Sequence, residues 1–124
     1  MNKIKIRIGL IEATAELNRS STAEALFNAL PMRGHANIWG SEIYFGIPIN
    51  KDLEEDYAKN IVNFGDIAYW PSGNSFCIFF GPTPASKGKE IRPASAVTVI
   101  GRITNNPKVF DVVREREIAV IERV

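Results

Sequence analysis

The chain has 124 residues, 45% of them apolar and 23% charged, which is enough for one domain with an ordinary core. Fifteen Lys and Arg against fourteen Asp and Glu leave a net charge of +1, so no electrostatic signal points to a nucleic-acid or membrane partner. One Cys and one His exclude an intramolecular disulfide, a Cys-cluster zinc site and a multi-histidine metal site, and nothing in the composition calls for a cofactor.

At the N-terminus, Ile4, Ile6 and Ile8 alternate with Lys3, Lys5 and Arg7. Period two is the pattern of a half-buried strand, not the unbroken apolar run of a signal peptide. With a single thiol and no membrane-length apolar segment, a cytoplasmic location is expected. After Gly9 the alternation resumes through Ile11, Ala13, Ala15 and Leu17. The two runs predict an antiparallel hairpin, with Lys and Arg on one strand facing Glu on the other. Ser21-Thr22-Ala23-Glu24 then fits a capping box, and Ala23, Leu26, Phe27 and Leu30 follow at helical spacing until Pro31. One helix of about ten residues is predicted there.

From Gly34 the texture is β. Short aromatic or β-branched runs lie at 36–39, 42–45, 66–70, 76–80 and 96–100, each bounded by Gly, Pro, Asn or Ser. The polar stretch 51–60 reads as a loop or a single helical turn. Residues 81–93 hold three prolines and read as a long loop, a kind of segment that is often functional. Asn106-Pro107 opens a second short helix, and Ile118-Ala119-Val120-Ile121 closes the chain as a strand. The expected fold is mainly β. It is a closed or nearly closed antiparallel barrel of about eight strands with two short capping helices, in one domain spanning 1–124.

No phosphate-cradling glycine loop is present, and the lone His35 has no partner set for a hydrolase triad. Cys77, between Phe76 and Ile78, reads as an inert core thiol. The feature that stands out is aromatic: Trp39, Tyr44, Phe45, Tyr69, Trp70, Phe76, Phe79 and Phe80 all fall within 39–80. Tyr and Trp bury a large apolar body and keep a polar tip, so they suit both cores and pocket walls. Alternation puts Phe76, Ile78 and Phe80 on one face of their strand and Cys77 and Phe79 on the other. One face must be core, and the other is free to line a groove. Trp39, Tyr44, Tyr69, Phe76 and Phe80 are candidate groove walls. Glu42 is the one carboxylate embedded among them; facing the groove it would bind a ligand or act as a general acid or base, and facing water it would do neither.

Three segments carry a family resemblance: Trp39-Gly40-Ser41-Glu42-Ile43-Tyr44-Phe45, Gly65 through Pro84, and Arg92 through Gly101. Together they resemble the small prokaryotic cyclophilin-like family, and the resemblance implies a cyclophilin-type barrel. Likeness to true cyclophilins is fainter. The run 74–80 looks like their Gly-Ser-Gln-Phe-Phe-Ile pocket strand, 97–103 like their Val-Val-Phe-Gly-Lys-Val strand, and Phe110-Asp111-Val112-Val113 like the Met-Asp-Val-Val helix after it. Where cyclophilins carry Phe-His-Arg, this chain reads Gly34-His35-Ala36-Asn37, so Ala36 falls at the arginine, and Phe76 stands for the pocket glutamine.

That departure bears on chemistry. Prolyl isomerisation has a barrier of about 20 kcal/mol, and lowering it takes a donor that favours the twisted amide. Alanine supplies none. The resulting expectation is a binding module whose groove takes a proline-containing peptide or a small, partly apolar ligand. Its walls would be Trp39, Tyr44, Tyr69, Phe76, Ile78 and Phe80, with polar direction from Glu42 and Ser95. Two alternatives stand beside it. One is an isomerase or other enzyme with relocated groups (Glu42, Arg33 or Arg92). The other is an interaction protein that forms a homodimer through a strand edge.

Overall fold

The alternation of Ile4, Ile6 and Ile8 does what period two requires. In the computed structural model, which describes residues 2–124, β1 (Lys3–Ile8) pairs with β2 (Ile11–Leu17), with Ile4 opposite Ala15 and Ile6 opposite Ala13. Gly9, at φ +58°, supplies the left-handed residue of the two-residue turn. Lys5 pairs with Glu12 at 3.9 Å across the outer face, and Arg7 reaches Glu122 at 3.4 Å on the other neighbour.

The remaining strands are β3 (Met32–His35), β4 (Asn37–Trp39), β5 (Glu42–Gly46), β6 (Ala58–Lys59), β7 (Asp66–Trp70), β8 (Ser75–Phe79), β9 (Val97–Ile103) and β10 (Ile118–Arg123). Among the described residues these ten strands form one antiparallel sheet in the order β3-β10-β1-β2-β9-β7-β8-β5-β4, with β6 added on β9. The expected closed barrel of about eight strands is therefore corrected on two points: there are ten strands, and the hydrogen-bonded ladder stays open. Closure would need the first and last strands to pair. Those two, β3 and β4, are instead consecutive in the chain, joined at Ala36. The turn before β10 lies between them. Ala36 N–H donates to the Glu117 carbonyl (2.8 Å), and Arg116 N–H donates to the Ala36 carbonyl (2.7 Å). Both Glu115 carboxylate oxygens accept from Ile38 N–H at 3.0 Å, which satisfies a donor on the free edge of β4. The sequence pattern missed β3 because Met32-Arg33-Gly34-His35 has no apolar alternation, and missed β6 because it is two residues long.

The first helix, α1 (Ser21–Asn28), is shorter than expected, and its cap is different. Ser20, not Ser21, is the N-cap, accepting from Ala23 N–H at 3.0 Å. Glu24 takes no part. Glu54, 33 and 32 residues on, accepts from the backbone N–H and hydroxyl of both Ser21 and Thr22 at 2.8–3.1 Å. Pro107–Val112 is a 3₁₀ helix whose Asn106 cap accepts from Lys108 N–H, as the Asn-Pro pair predicts, and Phe110 from it packs on Phe80. Two further 3₁₀ turns lie at Glu55–Tyr57 and Pro71–Gly73. Gly101 sits where β9 crosses β2; a side chain there would collide with the Glu16 carbonyl. No helix among the described residues is long and apolar enough to cross a membrane.

The core divides in two. The larger part gathers the inner faces of β1, β2, β5, β7, β8 and β10 with Leu26 and Phe110; the smaller, on the opposite face of β7 and β8, is built of Val62, Ala68, Cys77, Phe79, Ile91 and Val97. Every residue of β8 is thus buried, which is why its sequence is a continuous apolar run rather than an alternating one.

Candidate functional site

A cleft opens beside the smaller core cluster, which gives it Val97. Glu42 and Tyr44 are two apart on β5 and so project from one face. Tyr44 stands opposite Cys77 of β8, and Glu42 opposite Phe79. Trp39 of β4 is the register partner of Glu42. Trp70, at the end of β7, meets Tyr44 edge to face, with ring centroids 6.2 Å apart and planes at 79°. The indole N–H of Trp70 donates to Ser95 Oγ at 2.7 Å, which fixes the ring. These three rings, Glu42 and the segment Pro93, Ala94 and Val97 enclose about 260 Å³. That is just under the usual range of roughly 300–1,000 Å³ for drug-sized ligands and suits a group of side-chain size.

Glu42 is 5% exposed, and it is the only charged side chain on the walls. Burial in these apolar surroundings disfavours its anion and raises its pKa from 4.5 to about 7, while a hydrogen bond from the Cys77 thiol pulls weakly the other way. Cys77 responds in kind: burial first, then the neighbouring carboxylate, pushes its thiol well above its ordinary 9.0. It is a protonated donor here, not a nucleophile.

Of the residues singled out in the sequence, the structure brings Trp39, Glu42 and Tyr44 together on the cleft, and Ser95 beside it as the acceptor for Trp70. Tyr69, Phe76, Ile78 and Phe80 lie on the other face, buried in the larger core. Tyr69 Oη donates to the Ile49 carbonyl at 2.7 Å, a contact that anchors a loop. The split of β8 into two faces is as the alternation demands; the face turned to the cleft is that of Cys77, not of Phe76. Trp70, Pro93, Ala94 and Val97 were not anticipated as walls. Trp70 follows from strand geometry once Tyr69 is known to be core, since neighbours on a strand point oppositely.

Neither alternative arginine reaches the cleft walls. Arg33 lies on β3, opposite Val120, and Arg92 is held by Glu90 at 2.7 Å. Ala36, where the cyclophilin arginine would fall, is fully buried in the larger core. The loop 81–93 is tied down by Ser41 N–H donating to the Pro82 carbonyl (2.9 Å), by Val62 N–H donating to the Ile91 carbonyl (3.0 Å), and by Thr83 Oγ1 donating to the Arg92 carbonyl. Its last residue, Pro93, is part of the wall. No group of His, Cys, Asp and Glu among the described residues is arranged to hold a metal ion.

The sequence profile of the cyclophilin-like family matches residues 2–122. The solution structure of the hypothetical protein AF2241 from Archaeoglobus fulgidus superposes with a TM-score of 0.83 at 41% identity, covering 99% of this chain and 95% of that one. McbB, solved in complex with tryptophan, shares the fold at a TM-score of 0.71 and 15% identity; 97% of this chain is covered, against 44% of McbB. No protein of curated function matches the chain.

Proposed function

The chain belongs to the cyclophilin-like family, and from that premise we propose that it is a cytoplasmic binding module whose cleft takes the prolyl ring of a peptide or a small, partly apolar ligand, without prolyl isomerase activity. The observation behind the reading is the cleft itself: three half-buried aromatic rings converging on one buried carboxyl in a volume that suits one side chain. The lack of isomerase chemistry in this reading is supported by Ala36, whose side chain has no donor to offer a twisted amide. A titration with proline-containing peptides and a fragment set, followed by NMR, tests it. Bound ligand should shift the Trp39 and Trp70 indole resonances together and leave the Phe76 ring alone. A protease-coupled isomerisation assay should show no rate above background. Scattered shifts, or none, would remove the binding reading, and a clear isomerase rate would remove the second half of it.

One observation favours a second reading. A carboxyl in a cleft wall with a pKa near 7 is poised for general acid–base work at neutral pH. An enzyme of that kind would show a turnover on some fragment that is lost in Glu42→Gln while binding persists.

A further inference from the structure

The cleft walls combine two features that favour a cation. The first is the rings. Trp70 and Tyr44 stand nearly perpendicular, at 79°, and so form two adjoining walls, with Trp39 on the neighbouring strand. Aromatic faces carry partial negative charge and attract cations, most strongly where water is excluded. The second is the sign of the charge. Glu42 is the only charged wall residue, and no Lys or Arg shares the cleft with it. The cation nearest along the chain, Arg92, is committed to Glu90. A buried carboxyl without a counter-charge is costly to ionise, and a ligand carrying one positive charge would remove that cost.

We propose that the occupant of this cleft is a small organic ammonium ion, held between Trp39, Tyr44 and Trp70 with its charge against the Glu42 carboxylate. This rests on the binding-module reading and names the chemistry of its ligand. Charge complementarity decides the choice: a neutral apolar group would gain from the rings but would leave Glu42 without a counter-charge, and an anion would meet only repulsion. Ser95 serves by holding the Trp70 indole in place through the 2.7 Å hydrogen bond.

The chain's two tryptophans are both on the cleft. Tryptophan fluorescence and the two indole N–H resonances therefore report on this site alone. The probes are choline and its neutral carbon isostere 3,3-dimethylbutan-1-ol, which match in shape and differ in charge. At pH 8 choline is expected to move both indole signals in a saturable way, with an affinity at least tenfold above that of the alcohol. In Glu42→Gln, whose fold is checked by its backbone NMR spectrum, the tenfold preference should collapse to about one. Trp39→Leu should weaken choline without restoring the alcohol.

Equal binding of the two probes would overturn the proposal and leave the binding-module reading standing. Binding of proline peptides without binding of choline would do the same. If neither choline, the alcohol nor any peptide moves the indole signals, the proposal and the reading beneath it fall together. Because the choline-to-alcohol comparison is made on the unaltered protein, it decides the question even if a variant fails to fold.

Discussion

A carboxyl buried at the cost seen for Glu42 must leave a mark on stability. Its pKa is raised from 4.5 to about 7 by burial, and at 1.36 kcal/mol per pH unit the ionised form costs about 3 kcal/mol in the folded state. The sign follows from proton counting. Below pH 4.5 folded and unfolded chains both hold the proton, and the carboxyl contributes no difference. Between 4.5 and about 7 only the folded chain holds it, so stability falls as pH rises. Above 7 both are ionised, and the full cost is present. Between pH 5 and pH 8 the native protein should lose roughly 2.5 kcal/mol from this residue. Other acids contribute to the same curve: Asp66 is also raised by burial, while Glu54 and Glu90 are lowered by their hydrogen bonds. The clean quantity is therefore the difference between the native chain and Glu42→Gln. Urea denaturation of both at pH 5 and pH 8 measures it. The Gln variant should show a flatter pH dependence and be the more stable of the two at pH 8. For a domain of this size the gap should appear as roughly 10 °C in Tm. Parallel pH curves for the two proteins would refute the claim that Glu42 is buried without a counter-charge, and with it the electrostatic argument for a cationic ligand.

Four further outcomes are expected. Cys77 is fully buried and its thiol pKa is pushed up, so a thiol reagent should label it only after unfolding, at the unfolding rate; rapid labelling of the native chain would place it elsewhere. Ser20→Ala and Glu54→Ala should each lower stability by about 1–2 kcal/mol by stripping the N-terminus of α1, whereas Glu24→Ala should change it little, because Glu24 makes no cap. Equal effects from all three would restore the capping box that the sequence suggests. Phe76→Ala should cost about 3–5 kcal/mol by opening a cavity in the larger core. Trp39→Ala should cost much less stability but weaken the ligand-induced shift of the Trp70 indole, a dissociation that chemical denaturation and NMR read separately.

Much of the fold was legible because β structure prints its period into the chain. The β1–β2 hairpin, the Asn106-Pro107 helix start and the strands at 42–45, 66–70 and 118–121 all follow from alternation and punctuation. What was not legible has a common physical cause: it depends on partners distant in sequence. Glu54 caps α1 from 33 residues beyond Ser21, and no local pattern announces it. The open ladder depends on the turn at Glu115–Glu117 standing between β3 and β4, and Ala36 alone gives no sign of it.

The same limit explains why the candidate walls divide between the two faces of the sheet. Alternation divides a strand into two faces but does not say which face is which; that sign is set by what covers each one. On β8, Phe76 and Ile78 turn to the larger core with Phe45 and Phe110, while Cys77 and Phe79 turn to the smaller cluster, against Tyr44 and Trp70. Glu42 could have resolved the ambiguity. A carboxyl is not placed in the larger core, so the face it shares with Tyr44 must be the one that opens outward. Its register neighbours then follow: Cys77 opposite Tyr44, Phe79 opposite Glu42, and Trp39 across the next ladder. A single buried charge, taken as a fixed point, orients the whole strand.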